Sequence, residues 1–143
     1  MSEVAELQLV RLRVNGEPRA AAVETSATLL DLLRGPLGLT GSKEGCAKGD
    51  CGACTVLLDD RPALACLTLA VLCEGRAVRT VEGLAGPGGP SALQREFAAR
   101  GAAQCGFCTP GVLMSATHLL EQREPTTPPS RQEVAEALSG DLC

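Results

Sequence analysis

The sequence has almost no aromatic side chains. It contains no Trp and no Tyr, and Phe97 and Phe107 are its only aromatic residues. The core of this 143-residue chain must therefore be packed mainly from Leu, Val and Ala, which gives a thin core for one domain or two small ones. A bound metal is one way to stabilise such a chain.

The sequence also lacks a run of Lys or Arg and a long apolar stretch, and its net charge is −4. A nucleic-acid surface needs clustered positive charge, and a membrane span needs about 20 apolar residues. The first residues, MSEVAELQLV, place Glu3 and Glu6 where a signal peptide carries positive charge. We therefore expect no nucleic-acid partner, no membrane insertion and a cytoplasmic location.

Cysteine, in contrast, is abundant, with eight residues. Thiols stay reduced in the cytoplasm, so metal ligation is the favoured interpretation. The first cysteine group has the C-x4-C-x2-C spacing of a plant-type 2Fe-2S site plus a plausible fourth thiolate, and consists of Cys46, Cys51, Cys54 and Cys66. Gly45, Gly49 and Gly52 lie among these cysteines, where they allow backbone N–H groups to approach a negatively charged cluster.

Two other interpretations of the cysteines are a zinc site and buried cysteines without metal. Zinc would pair Cys51 and Cys54 with the C-x2-C of Cys105 and Cys108. That separation is far longer than the roughly 15 to 20 residues usual in zinc ribbons, and the other cysteines of the first group would stay unused. The 2Fe-2S interpretation uses all four.

The second cysteine group consists of Cys105 and Cys108, in the stretch QCGFCTPG, and Cys143. One C-x2-C pair is weak evidence by itself. It stands just before a predicted helix, and Cys143 follows the last one. Cys73 belongs to neither group, and we interpret it as a small packing residue.

Periodicity in the first half predicts a strand, a second strand and a helix. Residues 7–14 alternate as a half-buried strand, Asn15-Gly16 predicts a hairpin turn, and the next strand covers about residues 20–24. In TSATLLDLLRG, Thr25 or Ser26 is the expected helix cap and Gly35 the expected stop. Further strands are predicted in TVLLDD, with a turn at Asp59-Asp60, and in AVRTVEG.

The second half is predicted to be helical. Helices are expected in SALQREFAARG, in TPGVLMSATHLLEQR with Pro110 in the first turn, and in PPSRQEVAEALSG, where Ser130 and Glu133 have capping-box spacing and Gly140 is the stop. The Gly/Pro-rich residues 83–92 are typical of a linker. We therefore predict an α+β chain with a domain at 1–82, a linker at 83–92 and a helical domain at 93–143.

Together, LGLTGSKEGCAKGDCGACTV, QCGFCTPGVLMSA and LSGDLC resemble the small iron-sulfur subunit of the molybdenum hydroxylases, the family of xanthine dehydrogenase, aldehyde oxidoreductase and carbon monoxide dehydrogenase. The resemblance runs from VNGEP to the last residue. It implies an N-terminal β-grasp, plant-type ferredoxin domain followed by a small helical-bundle domain, each with one 2Fe-2S cluster.

The resemblance also implies roles for individual residues. Cys46, Cys51, Cys54 and Cys66 match the ligands of the plant-type cluster, expected toward an FAD-binding medium subunit. Cys105, Cys108 and Cys143 match ligands of the second cluster, expected beside the molybdopterin of a large subunit, and Gln104 matches a glutamine that hydrogen-bonds the pterin. The chain would relay electrons between these partners and would not be catalytic alone. It has no phosphate-binding glycine motif, so we expect neither flavin nor nicotinamide to bind it.

The sequence departs from the family pattern at its last motif. The family has C-x-C, as in GNLCRCTG, whereas here Asp141 replaces the usual Asn and the printed chain stops at Cys143. We expect the natural protein to continue past Cys143 and to supply the fourth ligand. The alternative function is a free two-cluster ferredoxin that acts as a diffusible carrier, and a zinc-stabilised interaction module is a third.

Overall fold

The computed structural model describes residues 6–143, so Glu3 lies outside the described residues. Within them, five strands form one mixed sheet in the order β2-β1-β5-β3-β4. Their bounds are β1 Leu7–Val14, β2 Glu17–Glu24, β3 Thr55–Leu58, β4 Arg61–Leu64 and β5 Ala77–Arg79. The β1–β5 pair is parallel, and β1–β2, β3–β4 and β3–β5 are antiparallel.

The β1–β2 hairpin confirms the sequence prediction. Val10 and Leu12 are buried on one face of β1, and Leu9 and Arg11 are exposed on the other. The turn at Asn15-Gly16 has positive φ at both residues, 52° and 86°, as a two-residue hairpin requires. The second strand begins at Glu17, about three residues earlier than predicted.

Helix α1 spans Leu29–Arg34 and buries its four leucines in the core. The predicted caps were wrong, because residues 25–26 form a turn and Thr28 pairs with Leu69 in an isolated β-bridge. Thr28 is the actual cap, in a capping box with Asp31. Gly35 ends the helix, as predicted.

The central part of the sheet differs from the prediction in two places. β3 and the turn at Asp59-Asp60 are confirmed, but β4 was not predicted. Pro62 is compatible with β4 because this strand lies at the sheet edge. The strand predicted in AVRTVEG ends at Arg79, and Val81–Leu84 form a 3-10 turn.

In the described chain the remaining helices are α2 Ala92–Ala99, α3 Thr109–Glu121 and α4 Arg131–Ala137. The capping box of Ser130 and Glu133 and the position of Pro110 in the first turn of α3 are confirmed. α4 ends three residues before Gly140. The predicted α+β class is confirmed, and none of the helices in residues 6–143 is long and apolar enough to cross a bilayer.

Helix α3 connects the helices to the sheet. It contacts β3 and β4 of the sheet and also α2 and α4, and Met114 within it is fully buried. Arg79 of β5 donates two hydrogen bonds to the carboxylate of Glu121. Its guanidinium also lies 3.5 Å from the carboxylate of Asp60. The hydrogen bonds from Arg79 to Glu121 raise the pKa of this guanidinium.

Candidate metal centres

The first cysteine group is built by one loop and by Cys66, two residues after the end of β4. The loop carrying Cys46, Cys51 and Cys54 is closed at its neck, where the Lys43 N–H donates to the Ala53 carbonyl at 3.0 Å. Cys54 is 3% exposed and belongs to the hydrophobic core, and the partly buried Cys66 packs against that core. The structure therefore brings all four predicted residues to one place.

Within the first cysteine group, backbone N–H groups favour the thiolate form of Cys46. The N–H groups of Lys48 and Asp50 lie 3.5 and 3.3 Å from its Sγ. Hydrogen bonds from Lys48, Cys51 and Asp50 lower the pKa of Cys46 to about 6. Desolvation and the neighbouring Cys54 thiol raise the pKa of Cys66 to about 11.

Two glycines of this loop have a steric reason to be glycine. A Cβ on Gly45 would lie 2.7 Å from the Sγ of Cys51. Gly49 has φ +89°, and a Cβ there would lie 2.5 Å from the Cδ1 of Leu67. The Gly49 N–H also donates toward Cys66, which lowers the pKa of that thiol against the effect of burial. The loop can therefore approach the sulfurs closely only with glycine at these positions.

The second cysteine group lies at the start of α3 and in the segment after α4. Cys108 is the N-terminal flanking residue of α3, and Cys105 and Cys143 are exposed. Desolvation raises the pKa of Cys108, and the neighbouring thiols of Cys143 and Cys105 raise it further, so the three thiols lie close together. The three predicted residues are thus brought together at the surface, next to an exposed Gln104.

The two cysteine groups meet through their backbones. The Leu142 N–H donates to the Cys51 carbonyl at 2.9 Å. A Cβ on Gly52, at φ +72°, would lie 2.5 Å from the Gly140 carbonyl oxygen, and one on Gly111 would lie 2.2 Å from the Gly52 oxygen. The sequence analysis did not predict this contact. The feature that could have indicated it is a glycine within each cysteine motif, Gly52 in the first and Gly111 in the second.

Asp141 lies in this contact region. Burial raises the pKa of its carboxyl, and the Ser115 hydroxyl partly offsets that effect. Its Oδ1 is buried, has no hydrogen-bond partner within residues 6–143, and would be 2.6 Å from a Cβ on Gly52. The side chain therefore fills the space that Gly52 leaves open.

The donor set of the first cysteine group fits a binuclear cluster. Cys51 lies close enough to Cys46, and Cys54 close enough to Cys66, to shift the pKa of the neighbouring thiol. A 2Fe-2S cluster takes four thiolates, two on each iron, so paired thiols match its demand. In the part of the chain that the structure describes, no three His, Cys, Asp or Glu side chains surround one ion-sized point.

Comparison with known proteins gives two family matches. The 2Fe-2S iron-sulfur cluster binding domain family matches residues 12–71, and the 2Fe-2S binding domain family matches residues 80–143. The two matches cover the first and the second cysteine group, respectively.

Several known proteins are similar over nearly the whole chain. The nicotine 6-hydroxylase small subunit of Paenarthrobacter nicotinovorans is 51% identical over 94% of this chain and 79% of its own length. The nicotinate dehydrogenase small FeS subunit of Eubacterium barkeri is 44% identical over 94% of this chain and 83% of its own. In the crystal structure of quinoline 2-oxidoreductase from Pseudomonas putida 86, one chain superposes with a TM-score of 0.91 at 47% identity, over 96% of this chain and 83% of that one. With both family matches and these identities, the chain belongs to the small 2Fe-2S subunits of the molybdenum hydroxylases.

Proposed function

We propose that this chain is the electron-transfer subunit of a molybdenum hydroxylase and carries two 2Fe-2S clusters between a molybdopterin-binding large subunit and an FAD-binding medium subunit. The family membership supports the class of function, and the thiol-rich composition supports a cytoplasmic assembly. Each cluster, when bound, supplies a one-electron redox centre.

The ligands that we assign are the members of the two cysteine groups. In the first group, Cys46, Cys51, Cys54 and Cys66 hold one cluster, and the N–H groups around Cys46 stabilise its negative charge. In the second group, Cys105, Cys108 and Cys143 supply thiolates to the other cluster. Gln104 is exposed beside this group, where its amide is free to bind a pterin edge.

The domain arrangement follows from the same proposal. The sheet of β1 to β5 with α1 is a β-grasp ferredoxin domain, for which we retain the bounds 1–82, and helices α2 to α4 form the second domain at 93–143. No helix or strand occupies 85–91 in the described chain, which supports a linker within 83–92.

The backbone contact between the two cysteine groups is the observation that carries the proposal. The N–H of Leu142, the residue before Cys143, donates a hydrogen bond of 2.9 Å to the carbonyl of Cys51. An electron carrier needs closely spaced redox centres in a rigid frame, and it needs no acid–base groups of its own. The close approach of Gly52 and Gly111 supplies that rigidity.

The test is to purify the chain from its native source through an affinity tag and to analyse what accompanies it. We expect molybdenum, a pterin and FAD in two further subunits, with iron and sulfide in this one. The isolated, cluster-loaded chain should not hydroxylate aldehydes or purines. A chain that purifies alone with both clusters would instead support the diffusible ferredoxin, and turnover by the chain alone would refute the assigned role.

A further inference from the structure

One face of the sheet is covered over only part of its width. Val56 and Leu58 of β3 belong to the core shared with α1, so Leu57 between them points to the opposite face. Leu57 is fully buried there, where α3 contacts β3. Leu9 and Arg11 of β1 also point away from the core, and both are exposed. The half of this face that β1 and β2 form is therefore open to solvent.

Three arginines make this open half basic. Arg11, Arg13 and Arg19 are among the residues that line a hollow of about 410 Å³. The Arg11 guanidinium lies 3.9 Å from the Glu74 carboxylate, and Arg13 donates to the Gly16 carbonyl at 3.1 Å. Within residues 6–143 no other carboxylate pairs with these three guanidinium groups, each of which carries five N–H donors. Positive charge is thus concentrated here, in a chain whose net charge is −4.

Exposed leucines continue the basic surface along β1. Leu7 and Leu9 are 64% and 45% exposed, and Ala22 lies opposite Leu9 on β2. We refer to the exposed side of β1 and β2, with these leucines and the three arginines, as the hairpin face. Arginine beside apolar side chains is typical of protein–protein interfaces, whereas small-molecule sites are concave and enclose most of their ligand. The hairpin face therefore fits a protein surface that carries Asp or Glu among apolar side chains.

The position of the hairpin face in the fold indicates which partner it meets. Helix α3, which begins beside Cys108 of the second cysteine group, contacts β3 and β4, whereas β2 is the opposite edge of the sheet. The turn of the hairpin is joined instead to the loop of the first cysteine group. Asn15 donates to the Thr80 hydroxyl at 3.0 Å, and Glu82 accepts from that hydroxyl and from the Gly41 N–H. The hairpin face thus belongs with the first cluster, which we assign to the side of the FAD-binding medium subunit.

We propose that the hairpin face docks the FAD-binding medium subunit, and that Asp or Glu side chains of that subunit pair with Arg11, Arg13 and Arg19. This inference rests on the proposed function, because it names the surface through which this chain meets one of the proposed partners. Complementary charges across an interface speed association and fix its orientation. The contribution of exposed charges weakens as the salt concentration rises.

The experiment titrates the cluster-loaded full chain with the purified medium subunit at low and high salt. The double variant Arg13→Glu/Arg19→Glu should bind about ten- to a hundredfold more weakly at low salt, and its difference from wild type should shrink as salt is added. The charge-conserving variant Arg13→Lys/Arg19→Lys should bind within about tenfold of wild type and more tightly than the double Glu variant. Arg61→Glu is the matched control and should bind like wild type, because Arg61 is an exposed arginine on β4, the other edge of the same sheet.

Each result decides the inference. Equal binding by wild type and the double Glu variant, or an equal loss in Arg61→Glu, would overturn it. If the double Glu variant fails to load the first cluster, Arg19→Glu alone decides, and wild-type binding by that variant contradicts the inference. A wild-type chain that does not bind the medium subunit overturns this inference alone when FAD and molybdenum accompany the native chain. When neither accompanies it, the proposed function fails as well.

Discussion

The two cysteine groups contain the same C-x2-C element but stand in different surroundings. No cysteine of the first is fully exposed: Cys54 lies in the hydrophobic core, and backbone N–H groups point at Cys46. The second lies at the surface, with Cys105 and Cys143 exposed. Short spacing therefore marks a possible site, while the surrounding backbone and core determine how well the site is protected.

The largest effect expected from this difference is at Cys54. Cys54→Ala should abolish the first cluster and destabilise the sheet domain, because it removes a ligand that also belongs to the core. Cys73→Ala is the matched control, since Cys73 is equally buried but belongs to neither group. Iron content and the cluster signals of the two variants check this. Loss of the first signal in Cys73→Ala, or its survival in Cys54→Ala, would refute the ligand assignment.

The second largest effect is expected at the contact between the groups. Gly52 and Gly75 have nearly equal φ angles, +72° and +73°, but only Gly52 has atoms in the space of a Cβ. Gly75→Ala should cost ~1–2 kcal/mol of unfolding free energy through backbone strain, with both clusters retained. Gly52→Ala should cost more and should also displace residues 140–141, so that the second cluster is lost or becomes labile.

Denaturant unfolding gives the stability of the Gly52 and Gly75 variants, and electron paramagnetic resonance gives the two cluster signals of each. Equal losses of stability, with the second signal unchanged in both variants, would show that the backbone contact does not support the second cysteine group.

A smaller effect is expected at Gln104, which tests whether the second cysteine group faces the pterin. In the assembled enzyme, Gln104→Ala should slow cluster reduction from the molybdenum side about two- to tenfold, the effect of one lost hydrogen bond, with both cluster spectra nearly unchanged. Gln132→Ala, at an exposed position on α4, is the control and should leave the rate unaltered. Rapid-freeze kinetics provide the measurement. Equal rates in wild type and Gln104→Ala would exclude the contact.

The smallest effect concerns the cap of α4, next to the segment that carries Cys143. Hydrogen bonds from the Ser130 backbone and side chain, and then from Arg123, lower the pKa of Glu133 to about 2 from an ordinary value of 4.5. A depressed pKa stabilises the folded state above pH 4.5, and this contribution is lost as the pH falls toward 2. The thermal midpoints of wild type and Glu133→Gln should therefore differ most above pH 4.5 and converge on acidification. A difference that is constant with pH would contradict this account of the cap.

Local patterns in the sequence predicted most of the fold. The Asn15-Gly16 hairpin, the end of α1 at Gly35 and the capping box at Ser130 each depend on neighbouring residues, and each was confirmed. The cap of α1 was misplaced because Thr28 is held by a β-bridge to Leu69, a residue distant along the chain. β4 was missed because it has only four residues and one of them is Pro62.

In the candidate site, too, local features were predicted from the sequence and long-range contacts were not. Cysteine spacing predicted the first group, and the resemblance to the iron-sulfur subunits added Cys143 to the C-x2-C pair of the second. The contact of Gly52 with Gly111 and the bond from Leu142 to Cys51 join residues distant along the chain. No local pattern encodes such contacts.

The most direct test of the central claim is to count iron, acid-labile sulfide and zinc per chain and to record electron paramagnetic resonance of the reduced protein. The account predicts about four iron and four sulfide per fully loaded chain, with two distinct 2Fe-2S signals. The signal of the exposed second cysteine group should decay first in air, and Cys105→Ser should remove that signal alone. Bound zinc without iron, or a single signal that survives Cys54→Ala and Cys105→Ser alike, would contradict it.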